Sequence, residues 1–205
     1  MAKFILGTKL GMSQMADEKG NVMPVTVVEV APNVIVQLRT MDKDGYEAVQ
    51  IGTGNRKKLS KAMKGHLKNL GNFRYLREFK TTTLNDQALK VGDKVDVSIF
   101  EPGEMVKISG VSKGKGFQGG MKRHGFHGMP NSHGHHHVKR HIGSIGQRFP
   151  QHTLKGKKMA GRMGADRITV RGLKIMKVDT ENGLLAVRGA VPGNRGGLLD
   201  IVSLK

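Results

Sequence analysis

Cysteine and tryptophan are absent from this sequence, and only 4% of its 205 residues are aromatic. Without cysteine the chain can form neither a disulfide framework nor a thiolate-ligated zinc or iron–sulfur site, and it has no thiol nucleophile. The absence also fits a reducing compartment. The scarcity of aromatic side chains argues against an aromatic-lined pocket for a carbohydrate or a cofactor. Several classes of enzyme are therefore excluded.

Long apolar runs are missing as well. The longest, such as residues 4–6 and 23–28, are far shorter than the roughly 20 residues that a membrane-spanning helix needs. The first ten residues carry neither a secretory apolar core nor an amphipathic transit pattern. We therefore expect a soluble, cytoplasmic protein with no membrane partner.

Acidic residues are few, because 16 Asp and Glu stand against 35 Lys and Arg, giving a formal net charge of +19. Solubility alone requires a net charge of about 2–8 in a small domain. The excess cations would repel one another unless a polyanion neutralised them. Nucleic acid and an anionic membrane are both candidates, but no long basic amphipathic helix supports the membrane.

Carboxylates are absent from residues 105–165, a stretch that holds 12 Lys and Arg, eight of the nine His and 13 of the 29 Gly. Its few large apolar residues cannot offset the conformational entropy of ordering so long a backbone. We therefore expect this stretch to lack structure of its own and to become ordered when a partner surrounds it. A solvated linker is the alternative, but a linker has no need to exclude every acid.

Short extended segments flank this stretch. They are β-branched or alternate between apolar and polar residues, and Gly, Asn, Asp or Pro turns separate them, which favours a small β-barrel: residues 22–30, 34–39, 46–53, 95–99, 168–178, 184–191 and 201–204. One helix is predicted to start at the N-cap Ser60 and to end at Gly71. Basic residues around it form a second candidate phosphate surface, or simply the solvated face of the helix.

These patterns predict three parts. The β-barrel body comprises residues 1–56, 81–110 and 164–205. A small basic helical insertion covers residues 57–80, and an extended basic Gly/His-rich arm covers residues 111–163.

Two motifs in the arm resemble enzyme motifs but lack the residues that the corresponding sites require. Residues 114–119 spell G-x-G-x-x-G, yet no acid follows for 46 residues, whereas a dinucleotide site needs one about 20 residues on. The His tract at 133–137 can bind zinc or nickel incidentally, but a catalytic metal site usually adds a carboxylate. The same lack of acids disfavours a nucleophilic triad around Ser112, Ser132 or Ser144. We predict no enzyme activity, no cofactor, no metal and no small-molecule substrate.

Several motifs, in order along the chain, resemble the signature stretches of the ribosomal protein L3 family of the large subunit, in its bacterial form. They are Ser112-Lys-Gly-Lys-Gly-Phe117, Ser132-His-Gly134, Gly143-Ser-Ile-Gly146 and Lys155-Gly-Lys-Lys-Met-Ala-Gly161, with residues 6–12, 24–30 and 189–193 outside the arm. The resemblance implies a translation-protein-type β-barrel with a small helical insertion. It also implies a long irregular loop that penetrates large-subunit ribosomal RNA toward the peptidyl transferase centre, an early role in subunit assembly, and neighbouring ribosomal proteins as partners.

The RNA-binding residues predicted on this basis are Lys113, Lys115, Lys122, Arg123, His133, His135, Lys139, Arg140, Arg148, Lys155, Lys157, Lys158 and Arg162. Those predicted nearest the peptidyl transferase centre are Ser144, Ile145, Gly146, Gln147, Arg148, Phe149, Pro150 and Gln151. Two features depart from the family pattern: Ile142 replaces a common proline, and residues 148–154 lack the usual Thr-Pro-Gly. A free RNA chaperone and a His-dependent metalloenzyme are the rival functions.

Overall fold

The secondary structure of the computed structural model is mainly β, as predicted. The structure describes residues 3–16, 20–68, 70–80, 83–84 and 87–204. Its strands are β1 Phe4–Ala16, β2 Val22–Glu29, β3 Asn33–Arg39, β4 Ala48–Asn55, β5 Phe73–Phe79, β6 Thr83–Leu84, β7 Gln87–Ala88, β8 Lys94–Val95, β9 Met105–Val111, β10 Phe117–Gln118, β11 Gly161–Arg162, β12 Arg167–Asp179, β13 Leu184–Arg188 and β14 Leu198–Ser203.

The helices are short. They are α1 Met41–Asp44, α2 Lys61–Leu67 and α3 Gly120–His124, with a 3-10 turn at Val97–Ile99. None of the described helices is long and apolar enough to cross a membrane.

The chain divides into two compact units. The first comprises residues 1–111 and 167–205, and the second comprises Ser112–Asp166. The second unit is inserted between β9 and β12, whose ends Val111 and Arg167 are register partners.

Six strands of the first unit close into a barrel in the order β1-β14-β9-β12-β13-β2. Closure pairs every strand on both sides, so the barrel leaves no free sheet edge along its paired length. Register shifts at Lys9/Gly11, Val170/Leu173 and Ile175/Lys177 mark irregularities that bend these strands. The barrel interior holds fully buried apolar side chains, including Ile5, Ile108 and Ile201, which are register partners on one face of the sheet.

A second sheet, in the order β5-β4-β3-β8, packs in the same unit. It corrects two expectations, because residues 33–55 do not belong to the barrel sheet and residues 73–79 form a strand rather than part of a helical insertion. The physical reason is that β4 is central in this sheet, so its backbone N–H and C=O groups pair with β3 on one edge and β5 on the other. Phe79 of β5 stacks on Phe4 of the barrel with ring centroids 4.7 Å apart.

The predicted helix exists, but it ends earlier than the sequence suggested. Ser60 is the N-cap, and its Oγ accepts a hydrogen bond from the Met63 N–H at 3.4 Å. The helix ends at Leu67, and Lys68 adopts a left-handed conformation with φ of 44°. A lysine therefore terminates the helix before Gly71 is reached.

Two predicted strands are shorter than expected. Of the segment 95–99, only Val95 pairs as a strand, together with Lys94 before it, since β3 begins at Asn33 and offers no partner beyond Val95. The next residues form a 3-10 turn in which Phe100 N–H donates to Val97 O at 3.0 Å. The strand expected over 184–191 ends at Arg188.

A buried asparagine links the barrel to the second sheet. Asn33 in β3 is fully buried, and its Nδ2 donates to the carbonyl oxygens of Leu6 (3.1 Å) and Ala31 (2.9 Å). Its Oδ1 accepts from the Leu6 N–H at 3.2 Å. Asn33 therefore satisfies three backbone groups that would otherwise be unpaired inside the protein.

Candidate nucleic-acid interface

Regular structure is sparse in the second unit, all of which the structure describes. It consists of the two-stranded ribbon β10–β11, with Phe117 paired to Arg162 and Gln118 to Gly161, and of the five-residue helix α3. Most of the remaining backbone is irregular, so glycine conformations and isolated hydrogen bonds determine its course.

The base of the second unit is held by backbone hydrogen bonds between its two ends. Ser112 N–H donates to Asp166 O at 2.9 Å, Lys115 N–H to Met163 O at 2.9 Å, and Met163 N–H to Gly116 O at 3.0 Å. Gly164 has φ of +75°, and a Cβ there would overlap the Lys113 carbonyl oxygen. Only glycine therefore allows the two ends to approach this closely.

A small packed region follows the base. Gly120 is buried, and a Cβ added there would overlap Ile142 and lie 2.9 Å from the Phe126 ring. Met129 N–H donates to Lys139 O at 3.0 Å. At Gly128, with φ of +78°, a Cβ would overlap this same Lys139 carbonyl oxygen.

Residues 112–143 therefore have internal structure, contrary to the expectation for the whole stretch. Apolar residues are indeed few there. Glycines let backbone segments touch without intervening side chains, however, so hydrogen bonds and a few apolar contacts replace a larger core.

Residues 144–158 contain no helix or strand, and every residue in this range is exposed. The hydrogen bonds within it are local: Ser144 Oγ donates to Gly146 O at 2.7 Å, and Lys157 N–H donates to Leu154 O at 3.3 Å. The Arg148 guanidinium lies 5.8 Å from the centroid of the Phe149 ring. All eight residues expected near the peptidyl transferase centre lie in this segment.

The predicted RNA-binding side chains are accessible. Twelve of the thirteen are exposed, and His135 is half-buried. Between residues 112 and 166 the chain carries 11 Lys and Arg but one acid, Asp166. None of these cations forms an ion pair with a described carboxylate. The second unit therefore presents uncompensated positive charge.

The His tract does not assemble a metal site in the structure. Among the described residues, no group of three or more His, Asp or Glu side chains is arranged to hold a metal ion. Within the tract, His133 has a left-handed backbone with φ of 59°. Outside it, His124 of α3 contacts the Met159 carbonyl oxygen at 3.1 Å.

The second candidate surface, around α2, is also exposed. Its cations, which all lie at the surface, are Lys57, Lys58, Lys61, Lys64, Lys68, Arg74 and Arg77. Arg77 Nε lies 3.9 Å from Asp200 Oδ1, and the Arg74 guanidinium lies 5.0 Å from the Tyr75 ring centroid. Most of these cations therefore remain free of the described carboxylates.

A groove of about 450 Å³ on the outside of the first unit was not predicted from the sequence. It is lined by Lys80, Lys107, Arg167, Arg171 and Asp200, among others. Arg167 Nη2 donates to Asp200 Oδ2 at 2.6 Å. Burial raises the pKa of Asp200, and the nearby arginines only partly oppose this effect. The available signal was the spacing of Arg167, Thr169 and Arg171, which places these side chains on one face of β12.

A closed barrel carrying an acid-poor insertion of exposed cations defines a basic, mainly β protein with an uncompensated cationic surface. Comparison with known proteins identifies the family. The chain matches the family described as Ribosomal protein L3 over residues 78–190, which is more than half of its length.

Near full-length relatives share this description. The large ribosomal subunit protein uL3 of Herpetosiphon aurantiacus is 51% identical over 203 residues, covering 97% of this chain and 95% of that protein. The proteins of the same name from Heliobacterium modesticaldum (48% identity, 98% and 96% covered) and Carboxydothermus hydrogenoformans (46%, 98% and 97%) are similar throughout. This chain belongs to the ribosomal protein L3 family.

Family membership makes the chain a structural protein of the large ribosomal subunit, not an enzyme, and its location is the cytoplasmic ribosome. The resemblance seen in the sequence motifs is therefore confirmed at the level of the family.

Proposed function

We propose that this chain binds large-subunit ribosomal RNA, with the first unit docked on folded RNA and the second unit inserted among RNA segments. The observation that carries the proposal is the second unit's charge, 11 basic residues against one acid, with the basic side chains exposed and unpaired with described carboxylates. Such a surface repels itself in isolation and is stabilised where phosphates surround it.

The recognition would be of RNA shape. Lysine and arginine side chains and backbone N–H groups contact phosphates and riboses, which fixes orientation without reading sequence. The thirteen predicted residues, from Lys113 to Arg162, would supply most of these contacts. Because cations screen the repulsion between neighbouring phosphate chains, inserting the second unit would allow RNA helices to pack closely, which suits an early role in subunit assembly.

The exposed segment 144–151 would lie nearest the peptidyl transferase centre. It contains no carboxylate, and its one ionisable side chain is Arg148, so it cannot act as an acid or a base near neutral pH. The chemistry of peptide-bond formation would belong to the RNA, and this segment would support its geometry. The first unit would then be a translation-protein-type barrel, in contact with neighbouring ribosomal proteins of the large subunit.

Salt dependence tests the proposal. If the second unit neutralises roughly 10 phosphates, the binding constant for a large-subunit ribosomal RNA fragment should fall with a log–log slope of about −7 to −9. Replacing Lys157 by Ala should make this slope shallower by about one. Lys43→Ala serves as the matched control, because Lys43 lies exposed in α1 between Asp42 and Asp44, and it should leave the slope unchanged.

A nearly flat salt titration would contradict the electrostatic basis of the proposal. Sedimentation of a cell lysate separates the structural role from that of a free RNA chaperone. A subunit component should co-sediment with large subunits at high Mg²⁺, whereas a chaperone should remain mostly in the light fractions.

A further inference from the structure

A phenyl ring stands uncovered on the β10–β11 ribbon of the second unit. Among the large apolar side chains whose burial the structure describes, Phe117 in β10 is the most exposed, at 77%, against 68% for Phe149 and 56% for Leu154. An exposed phenyl ring contributes no burial energy to the stability of the free protein, and removing it from water by contact with a partner would be favourable. The ring therefore suits contact with something outside the chain.

The ribbon that carries this ring has one covered face and one open face. Gln118 and Gly161 form one cross-strand pair, and a Cβ at Gly161 would lie 2.5 Å from Arg123 Nη1. Arg123 is held there because its Nη1 donates to Met159 O at 3.0 Å. Successive residues alternate between the two faces, so the next pair, Phe117 and Arg162, lies on the face opposite Arg123.

Phe117 and Arg162 are direct register partners, so their side chains start side by side on the open face. Two adjoining backbone hydrogen bonds, from Lys115 N–H to Met163 O and from Met163 N–H to Gly116 O, extend the pairing of the ribbon. They hold its backbone in place, so the ribbon does not fold over the two side chains. The Phe117 ring and the Arg162 guanidinium group therefore project from neighbouring positions of a hydrogen-bonded ribbon.

The surroundings identify the chemistry of the missing partner. Lys113 and Lys115 lie just before Phe117, and the unit's one acid is Asp166. An apolar pocket on another protein would cover the ring but would gain nothing from three neighbouring cations. A nucleotide satisfies both features, because its base stacks on an aromatic ring while its flanking phosphates meet cations. Bases inside a duplex are already stacked, so the base must be unpaired.

Phe149 is the weaker candidate for the same role. Its ring already has the Arg148 guanidinium at 5.8 Å, and its segment lacks the cross-strand hydrogen bonds that frame Phe117.

We propose that Phe117 is a stacking platform for one unpaired RNA base, with Arg162 and Lys115 contacting the phosphates on either side of it. The inference rests on the proposed RNA binding and adds to it a class of ligand, the single-stranded or bulged nucleotide.

The absence of tryptophan from the chain provides a direct test. Phe117→Trp places a single indole at this site in the full-length protein, and stacking of a base should quench its fluorescence. The probes are a single-stranded oligoadenylate of about eight nucleotides and a blunt-ended RNA duplex of about 16 base pairs, each also labelled so that anisotropy reports binding independently. We expect quenching by the oligoadenylate and little quenching by the duplex.

Two further variants test the aromatic face itself. Phe117→Leu keeps much of the apolar volume but removes the π surface, and it should weaken oligoadenylate binding by about 5- to 100-fold while leaving duplex binding and the salt slope unchanged. Leu154→Ala removes a similarly exposed apolar side chain from the same unit and should change neither. Because both side chains are exposed, the thermal unfolding midpoint should stay the same.

Oligoadenylate binding that is seen by anisotropy without indole quenching would overturn the stacking proposal and leave the proposed RNA binding intact. Equal oligoadenylate binding by the wild type and by Phe117→Leu would also overturn the stacking proposal and leave the proposed RNA binding intact. If neither probe binds at any salt concentration, the proposed RNA binding fails, and the stacking proposal fails with it.

Discussion

Replacing Asn33 with alanine should destabilise the first unit severely, because this side chain satisfies three backbone groups at the junction of β1 and β3. The substitution leaves the Leu6 N–H and the carbonyl oxygens of Leu6 and Ala31 without their partner. Each buried group left unsatisfied costs about 1–3 kcal/mol. A water that enters the vacated space can recover part of this loss, so we expect a net cost of about 3–5 kcal/mol.

The magnitude matters because a domain of this kind has about 5–15 kcal/mol of total stability. Urea unfolding followed by far-ultraviolet circular dichroism measures the change, which should appear as a lower midpoint at an unchanged slope. Asn33→Asp should be worse than alanine, because it replaces the donor with an oxygen that faces two carbonyl oxygens. Asn21→Ala, at an exposed position, should stay within about 0.5 kcal/mol of the wild type. An Asn33→Ala protein as stable as this control would refute the reasoning.

Two other predictions concern acid stability and the second unit. Burial alone would raise the pKa of Glu104, but hydrogen bonds from Ser203 Oγ, Lys3 Nζ and the Glu101 N–H outweigh it, so the pKa is lowered below 4.5. The ionised carboxylate therefore contributes stability above about pH 4.5, and this stability is lost as the pH falls through the lowered pKa. Glu104→Gln should be less stable than the wild type at pH 7 and should lose less free energy of unfolding on acidification. Equal losses in the two proteins on acidification would contradict this. In the free protein, limited trypsin digestion should cut first within residues 144–158, and Gly128→Ala should extend the cuts into 113–143 without changing the unfolding of the barrel. Early cuts confined to 113–143 in the wild type would argue against the packing described there.

Composition and local pattern determined much of this protein. The segregation of carboxylates away from residues 105–165 is a property of the sequence alone, and it identifies the surface on which the functional proposal rests. Ser60 signals the start of α2 because an N-cap acts within one turn. Strands β2 and β12 are visible in the sequence because their β-branched, alternating pattern is local.

Only the tertiary structure decided which segments meet. The partner of a strand is set by long-range packing, so the sequence pattern placed residues 33–55 in the barrel and 73–79 in a helical insertion, whereas both belong to the second sheet around β4. The same holds for Asn33, whose burial depends on Leu6, 27 positions away. In the second unit, glycines allow close backbone contacts that the pattern of apolar residues does not predict. Cross-strand pairing alone places Phe117 beside Arg162. Charge and capping are short-range and can be read along the chain, whereas register and burial arise from contacts between residues distant in sequence.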